Sequence, residues 1–100
     1  MISEQRIAEL SHIFTALGNE TRLKILLIAS QSDRPLHIKA YARLLKKRYS
    51  AVYRHITILR RAGLVTIYDV GRSRVVALRK GLNIETLIQT LASLGIITAE

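Results

Sequence analysis

Apolar positions repeat with a helical period at the start of the chain. Residues 3–17 carry apolar side chains three or four positions apart, which predicts an amphipathic helix with Ser3 as its N-cap. Gly18 ends this pattern, and Asn19 is the expected N-cap of a second helix that continues to residue 30. The inner face of this second helix is expected to consist of Leu23, Leu26 and Leu27, widened by Ile25 and Ile28.

Two further helical patterns follow the only proline. Residues 37–46 predict a third helix, and residues 49–62 predict a fourth that ends at Gly63. A polar break at residues 46–48 separates the two. The residues expected to be buried in the third helix are Ile38, Tyr41, Ala42, Leu44 and Leu45, and those in the fourth are Val52, Ile56 and Leu59.

The period changes from helical to alternating after Gly63. Residues 64–68 and 74–78 are rich in β-branched side chains and flank a tight break at residues 69–73, which predicts a β-hairpin. Asn83 then caps a last helix whose apolar face is Leu87, Ile88, Leu91 and Leu94. The predicted order of elements is α-α-α-α-β-β-α, a mainly α-helical fold with one hairpin.

Two helices joined by a short turn and followed by a hairpin form the layout of a winged helix-turn-helix. One hundred residues suit a single domain, so residues 1–100 are expected to share one core. Within it, residues 37–62 are the predicted helix-turn-helix and residues 64–79 the predicted wing. The terminal helices, at residues 1–17 and 82–97, lie outside this unit.

Positive charge is concentrated in the middle of the chain. The whole chain has a net charge of +9, but the segment from Lys39 to Lys80 holds twelve basic residues against one acidic residue, Asp69. The first 38 residues are balanced, with four of each sign. Such a block is typical of proteins whose partner is a polyanion, either a nucleic acid or a membrane surface.

The basic segment coincides with the predicted helix-turn-helix and wing. A recognition helix needs one apolar face on its scaffold and one polar face that enters the major groove of DNA. The expected contacts from the fourth helix are Tyr49, Ser50, Tyr53, Arg54, Thr57 and Arg61, with Tyr53 expected to contact sugars or thymine methyl groups. The turn would add Lys46, Lys47 and Arg48, and the tip of the wing Arg72, Ser73 and Arg74. The wing arginines could instead be only solvated.

Three segments resemble one family. Residues 16–26 (ALGNETRLKIL) are similar to the ALG-x-x-TR-L-x-IL signature of the ArsR/SmtB-type winged-helix repressors. Residues 53–65 (YRHITILRRAGLV) resemble their recognition helix and first strand, and residues 71–78 (GRSRVVAL) resemble their wing. Neighbouring winged-helix families share parts of this pattern, but the three motifs occur in the order of this family. The resemblance implies a transcription regulator, and a repressor in particular.

The resemblance also implies a homodimer formed through the first and last helices. The apolar faces of these helices exceed what a domain of this size can bury alone. The expected interface residues are Ile7, Leu10, Phe14, Leu87, Ile88, Leu91 and Leu94. The alternative is that both helices only cover the core of a monomer.

The sequence departs from the family at two places. The turn has Lys46 and Lys47 where the family usually has Gly and an apolar residue, and Arg48 stands where a Ser or Thr normally caps the recognition helix. The metal-sensing members use a Cys pair in the third helix or carboxylate and His ligands in the last helix. This chain has no Cys, and residues 92–100 contain no His. No metal site and no cofactor are therefore expected, and His55 is expected to pack rather than to bind a ligand.

Other function classes find little support. The chain has no HExxH, P-loop or GxSxG motif, so it is not expected to be an enzyme. Its longest apolar run is too short to cross a membrane, and no secretion signal is visible, so a soluble, cytoplasmic, nucleoid-associated protein is expected.

Three alternatives to a sequence-specific regulator remain. The first is an architectural, chromatin-like protein that coats DNA with little sequence preference, which the charged turn favours. The second is a protein-interaction module that reuses the same fold. The third is a binder of double-stranded RNA, whose deep, narrow major groove does not suit a recognition helix.

Overall fold

The computed structural model describes residues 1–100 as five helices and a three-stranded antiparallel sheet. The fold class predicted from the sequence is confirmed, with one added strand before the third helix. In chain order the elements are α1 (Glu4–Leu17), α2 (Glu20–Gln31), β1 (Leu36–His37), α3 (Ile38–Leu45), α4 (Tyr49–Arg61), β2 (Val65–Val70), β3 (Ser73–Leu78) and α5 (Ile84–Ser93).

Three helices begin at the capping residues that the sequence predicts. The Ser3 hydroxyl accepts a hydrogen bond from the Arg6 amide at 3.2 Å, and the Asn19 side chain accepts one from the Arg22 amide at 3.0 Å. Asn83 caps α5 in the same way. Each cap satisfies a backbone N–H that has no partner inside its helix, a contribution of about 1 kcal/mol. By contrast, Arg48 precedes α4 and makes no capping bond.

The sheet places β3 in the centre, between β1 and β2. The hairpin is longer than predicted, because its strands run to Val70 and start again at Ser73, and these two residues pair directly. The turn is therefore only Gly71 and Arg72, where a break of five residues was expected. Gly71 has a φ of 62°, which suits the first central position of a type II′ turn. This turn permits the right-handed twist of the strands to continue to the tip.

The core lies where α2, α3 and α4 meet the sheet. Its fully buried members include Ile25, Leu26, Ile38, Tyr41, Val52, Ile56, Leu59 and Val76. The Tyr41 hydroxyl donates a hydrogen bond to the Val76 carbonyl at 3.1 Å, which joins α3 to the central strand. Burial disfavours the phenolate and raises the pKa of Tyr41 to about 12, so this hydroxyl keeps its proton at any physiological pH.

Two expectations about the core are wrong. Leu44 lies on α3 with its side chain exposed, because only the face carrying Ile38 and Tyr41 meets the core. In α2 the buried residues are Ile25, Leu26 and Ala29, whereas Leu23 is exposed. Leu26 and Ile25 are buried as predicted, and the small Ala29 takes a buried place on this face, while Leu27 and Ile28 are half-buried at its edge.

No helix in the chain is both long enough and apolar enough to span a lipid bilayer.

Candidate DNA-binding surface

Helix α4 separates a buried face from an open one. Val52, Ile56 and Leu59 are fully buried and fix the helix to the core. The opposite face forms a shallow groove in which Ser50, Arg54 and Arg61 are exposed and Tyr53 and Thr57 are half-buried; it is lined by Ser50, Tyr53, Arg54, Thr57, Ile58 and Arg61. The five of these that the sequence singled out therefore lie together on one surface, with Ile58 added.

The turn between α3 and α4 closes with an unusual residue. The Lys47 amide donates to the Ala42 carbonyl at 3.1 Å and the Lys46 amide to the Arg43 carbonyl at 3.2 Å, which is the hydrogen-bond pattern of a Schellman motif. Lys46 takes the left-handed position of this motif, with φ 56° and ψ 44°. Helix α4 ends with the same pattern, but there the left-handed residue is Gly63.

Strain at Lys46 leads to the first prediction. A side chain in the left-handed region costs about 1–2 kcal/mol, whereas glycine occupies it freely. Replacing Lys46 with Gly should therefore raise the free energy of unfolding by about 0.5–1 kcal/mol, the remainder being offset by the greater entropy of the unfolded chain. Urea unfolding measures this change.

Lys47→Gly is the matched control, because it removes the same charge and adds the same glycine. Lys47 does not have a positive φ, so this variant should lose stability. Equal effects of the two variants would contradict strain at Lys46.

Lys46, Lys47 and Arg48 are all exposed, so the turn presents three cations in sequence.

The wing is connected to α4 by one arginine. Arg74 on β3 donates a hydrogen bond to the Tyr53 hydroxyl at 2.7 Å, and its guanidinium carbon lies 5.5 Å from the centre of the Tyr53 ring. The Arg74 Nε lies 3.6 Å from the Asp69 carboxylate on the neighbouring strand. Tyr53 also stacks on Tyr49, with ring centres 6.2 Å apart. Tyr53 thus joins the start of α4 to the wing. The two residues are 21 positions apart, so the local sequence pattern does not predict this contact.

The other wing residues lie at the tip. Arg72 is exposed in the turn, and Ser73 is half-buried beside it. Two residues that the sequence did not single out, His37 and Lys39, line one cleft together with Tyr49 and the wing tip. The two-residue strand β1 pairs His37 with Val75 and so brings the start of α3 to the wing, a placement for which two residues leave no pattern in the sequence.

His55, on α4, contacts Arg22 on α2. The Arg22 Nη1 is 3.2 Å from the His55 Nδ1, and other guanidinium nitrogens of Arg22 donate to the Ala16 and Thr15 carbonyls at the end of α1. Arg22 therefore ties α1 and α2 to α4. Burial, and then the positive charges of Arg22, Lys47 and Arg54, lower the pKa of His55 below its usual value. A neutral His55 accepts the hydrogen bond from Arg22.

The lowered pKa predicts a pH dependence. The unfolded state takes up a proton at His55 near pH 6.5, and the folded state does so only at lower pH. The stability that neutral His55 provides is therefore complete above about pH 6.5 and is lost as the pH falls towards the folded pKa. His55→Asn, which keeps an acceptor for Arg22, should remove this part of the acid destabilisation in unfolding curves between pH 5 and 8. Parallel profiles for the wild type and His55→Asn would contradict the prediction.

The predicted interface residues lie on two surface stripes. Ile7, Leu10 and Phe14 on α1 are exposed, and so are Leu87 and Ile88 on α5 and Leu94 at its end; Phe14 is 60% exposed and Leu94 68%. Leu91 is half-buried, so part of its side chain already packs within the protomer and is not available to an interface. Beyond α5, Ile96 and Ile97 are exposed as well.

Residues 1–100 hold no cluster of side chains that suits a metal ion. No three His, Cys, Asp or Glu side chains are close enough together to share a metal ion.

A helix-turn-helix of α3 and α4, with a wing of β2 and β3 at its side, defines a winged helix-turn-helix protein. A family model described as HVO_A0114 matches residues 19–84. A crystal structure of the transcriptional regulator HlyU from Vibrio vulnificus CMCP6 is 30% identical, covers 91% of this chain and 92% of that chain, and gives a TM-score of 0.67. An ArsR-like transcriptional regulator from Rhodococcus sp. RHA1 is 27% identical, over 95% of this chain and 84% of that chain, with a TM-score of 0.70.

A third similar structure shares the fold at lower identity. It is the homodimeric winged helix-turn-helix DNA-binding domain Mb0332 from Mycobacterium bovis, 19% identical over 96% of this chain and 86% of that chain, with a TM-score of 0.70. No curated protein matches the sequence. The chain belongs to the HVO_A0114 family and to the ArsR-like winged helix-turn-helix transcriptional regulators.

Proposed function

We propose that this protein binds a specific sequence in double-stranded DNA as a homodimer and represses transcription without a metal ion. The observation that carries the proposal is the division of α4 into a fully buried apolar face and an open face with Ser50, Arg54 and Arg61. Such a helix can enter the major groove while its scaffold stays fixed. The exposed cations of the turn directly precede α4, and Arg74 of the wing contacts Tyr53 on this helix.

The proposed contacts differ in what they contribute. Lys46, Lys47, Arg48 and Arg72 would meet phosphates, which fix position and orientation without identifying bases. Ser50, Arg54, Thr57 and Arg61 would meet base edges in the major groove, where each base pair presents its own donors and acceptors. Tyr53 and Tyr49 would contact sugars or thymine methyl groups, and Arg74 and Ser73 would act from the wing.

Homodimer formation is supported by the apolar stripes on α1 and α5. Contiguous exposed apolar surface is rare on a monomer and marks an interface. A two-fold axis through these helices would present two copies of α4 to one side of the DNA. The dimer should then require half-sites about 10 base pairs apart, or a multiple of that distance.

Repression is the role that the resemblance to the ArsR/SmtB-type repressors implies. A dimer on promoter DNA excludes polymerase from the same site. Selection of bound fragments from genomic DNA tests the proposal, because one recovered motif gives the specificity, the symmetry and the regulated promoter together. A reporter driven by that promoter should then fall in output when the protein is present; an increase would show an activator.

One observation favours a second candidate, an architectural protein with little sequence preference. The three consecutive exposed cations at residues 46–48 occupy a turn where the family usually has no charge, and they suit backbone contacts on any duplex. Affinity for the selected motif and for a random duplex, measured at one salt concentration, separates the two candidates. Specific regulators bind their site about 10³-fold or more tightly than random DNA.

The proposed metal independence can be tested by measuring DNA affinity with and without zinc. The chain has no thiolate ligand, and its three histidines lie in different elements. No three His, Asp or Glu side chains lie close enough together to bind zinc. Adding zinc or a chelator at constant ionic strength should leave the affinity for the selected motif unchanged. A tenfold change in affinity with either reagent would show that the protein senses a metal.

A further inference from the structure

A cleft lies between the start of α3 and the tip of the wing. It is lined by His37, Ile38, Lys39, Tyr49, Arg72, Ser73 and Arg74. Three of these side chains are cations, and they come from two separate parts of the chain. The pairing of His37 with Val75 holds these parts side by side. The cleft is therefore part of the folded scaffold.

The chemistry of the lining favours an anion with several oxygen atoms. Lys39, Arg72 and Arg74 supply positive charge, and Ser73, His37 and Tyr49 supply hydrogen-bonding groups. No carboxylate lines the cleft, although Asp69 contacts Arg74 from the side at 3.6 Å. Arginine matches phosphate oxygens with its planar fork of donors, and lysine adds a point charge.

Arg74 is already oriented at the wall of the cleft. Its hydrogen bond to the Tyr53 hydroxyl and its contact with Asp69 fix the guanidinium, and most of its five N–H donors remain free for a ligand. A side chain that is held before binding loses less entropy when the ligand arrives.

The cleft adjoins the surface that is proposed to contact base edges. Tyr49 lines the cleft and stacks on Tyr53, which lines the groove along α4. A ligand in the cleft thus lies next to the DNA segment that α4 would occupy. This position suits the sugar–phosphate backbone of the same duplex.

We propose that the cleft between α3 and the wing tip binds a backbone phosphate of the DNA, with Lys39, Arg72 and Arg74 as its cationic ligands. The assignment rests on the proposed DNA-binding function and adds Lys39 and His37 to the protein's contacts. It places one phosphate at the edge of the half-site, beyond the bases that α4 meets.

The test is the salt dependence of DNA binding by Lys39→Ala in the full chain. Each phosphate neutralised by a cation contributes about 0.9 to the slope of log affinity against log salt. Because Arg72 and Arg74 remain beside the phosphate, we expect the slope to fall by no more than this amount, so that the variant's loss of affinity is up to about threefold larger at 50 mM than at 200 mM salt. The loss should be equal on the selected motif and on random duplexes.

Lys24→Ala is the matched control. Lys24 is exposed on α2 and does not line the cleft, and its removal changes the net charge equally. Its slope should match that of the wild type. An unchanged slope for Lys39→Ala, or an equal decrease for both variants, would overturn the proposal while the wild type still binds DNA. Failure of the wild type to bind any duplex would instead overturn the proposed function.

A second measurement identifies the source of the phosphate. Inorganic phosphate is added to the DNA-free protein, with chloride at equal ionic strength as the reference, and amide shifts of residues 37–39 and 72–74 are followed by NMR. Weak shifts that do not saturate at millimolar phosphate are expected if the ligand is DNA. Saturation at that concentration, together with displacement of a bound duplex, would show that the cleft holds a small phosphate compound and would overturn the assignment to the DNA backbone.

Discussion

Replacing Leu87 with Arg is expected to convert the protein from a dimer to a monomer. Leu87 lies in the middle of α5 with 40% of its surface exposed, so an arginine there fits the protomer but places an unpaired charge in the proposed interface. Sedimentation should give the mass of one chain. The affinity for a two-half-site operator should fall by about a hundredfold or more, since two linked contacts with DNA become one.

Leu23→Arg is the control for this experiment. Leu23 is 41% exposed on α2 and lies outside the stripes on α1 and α5, so the same substitution should leave the dimer intact. A wild type that sediments as a monomer at micromolar concentration would contradict the proposed assembly. So would dissociation by both variants, because the added charge would then act without regard to position.

Replacing Arg54 with Ala is expected to remove preference at one base pair. Arg54 is exposed on the open face of α4, on the opposite side of the helix from the buried Ile56. An arginine that binds a guanine edge with two hydrogen bonds contributes about 1–3 kcal/mol of discrimination. The loss should therefore appear on the selected motif, and the affinity for random duplexes should change much less.

Lys47→Ala provides the contrast. Lys47 lies in the exposed turn, so it should weaken binding to all duplexes alike and lower the salt slope by about one unit. Matched titrations of both variants on the selected and random duplexes measure the difference. If Arg54→Ala weakens binding to both duplexes equally, α4 does not discriminate bases and the architectural function is the better explanation.

Local signals in the sequence predicted the five helices, three of their N-caps and the hairpin. Ser3, Asn19 and Asn83 act as caps because a short polar side chain before an apolar periodic segment has one favoured position, whatever the tertiary structure. The sequence does not predict the two-residue strand β1, because Leu36 and His37 follow a proline and are too few to show alternation. It exists only because the central strand β3 pairs with it.

The site was predictable in outline but not in its contacts. The charge block and the polar face of α4 are features of the sequence itself. The contact between Arg22 and His55 joins residues 33 positions apart, and that between Tyr53 and Arg74 joins residues 21 apart, so neither has a local signal. Tyr53 is an example. The sequence predicted it on the outer face as a contact to DNA, whereas in the structure its hydroxyl accepts a hydrogen bond from Arg74 of the wing.

The hydrogen bond from Tyr41 to Val76 also bears on how the protein would respond to changes in operator spacing. It holds the helix-turn-helix against the wing through a buried contact, so the angle between them cannot change without exposing or stranding a polar atom. An extra base pair between two half-sites rotates one of them by about 35° around the DNA axis. In the proposed dimer, rigid protomers would follow that rotation by twisting against each other at α1 and α5, so the interface would help to set the tolerated spacer length.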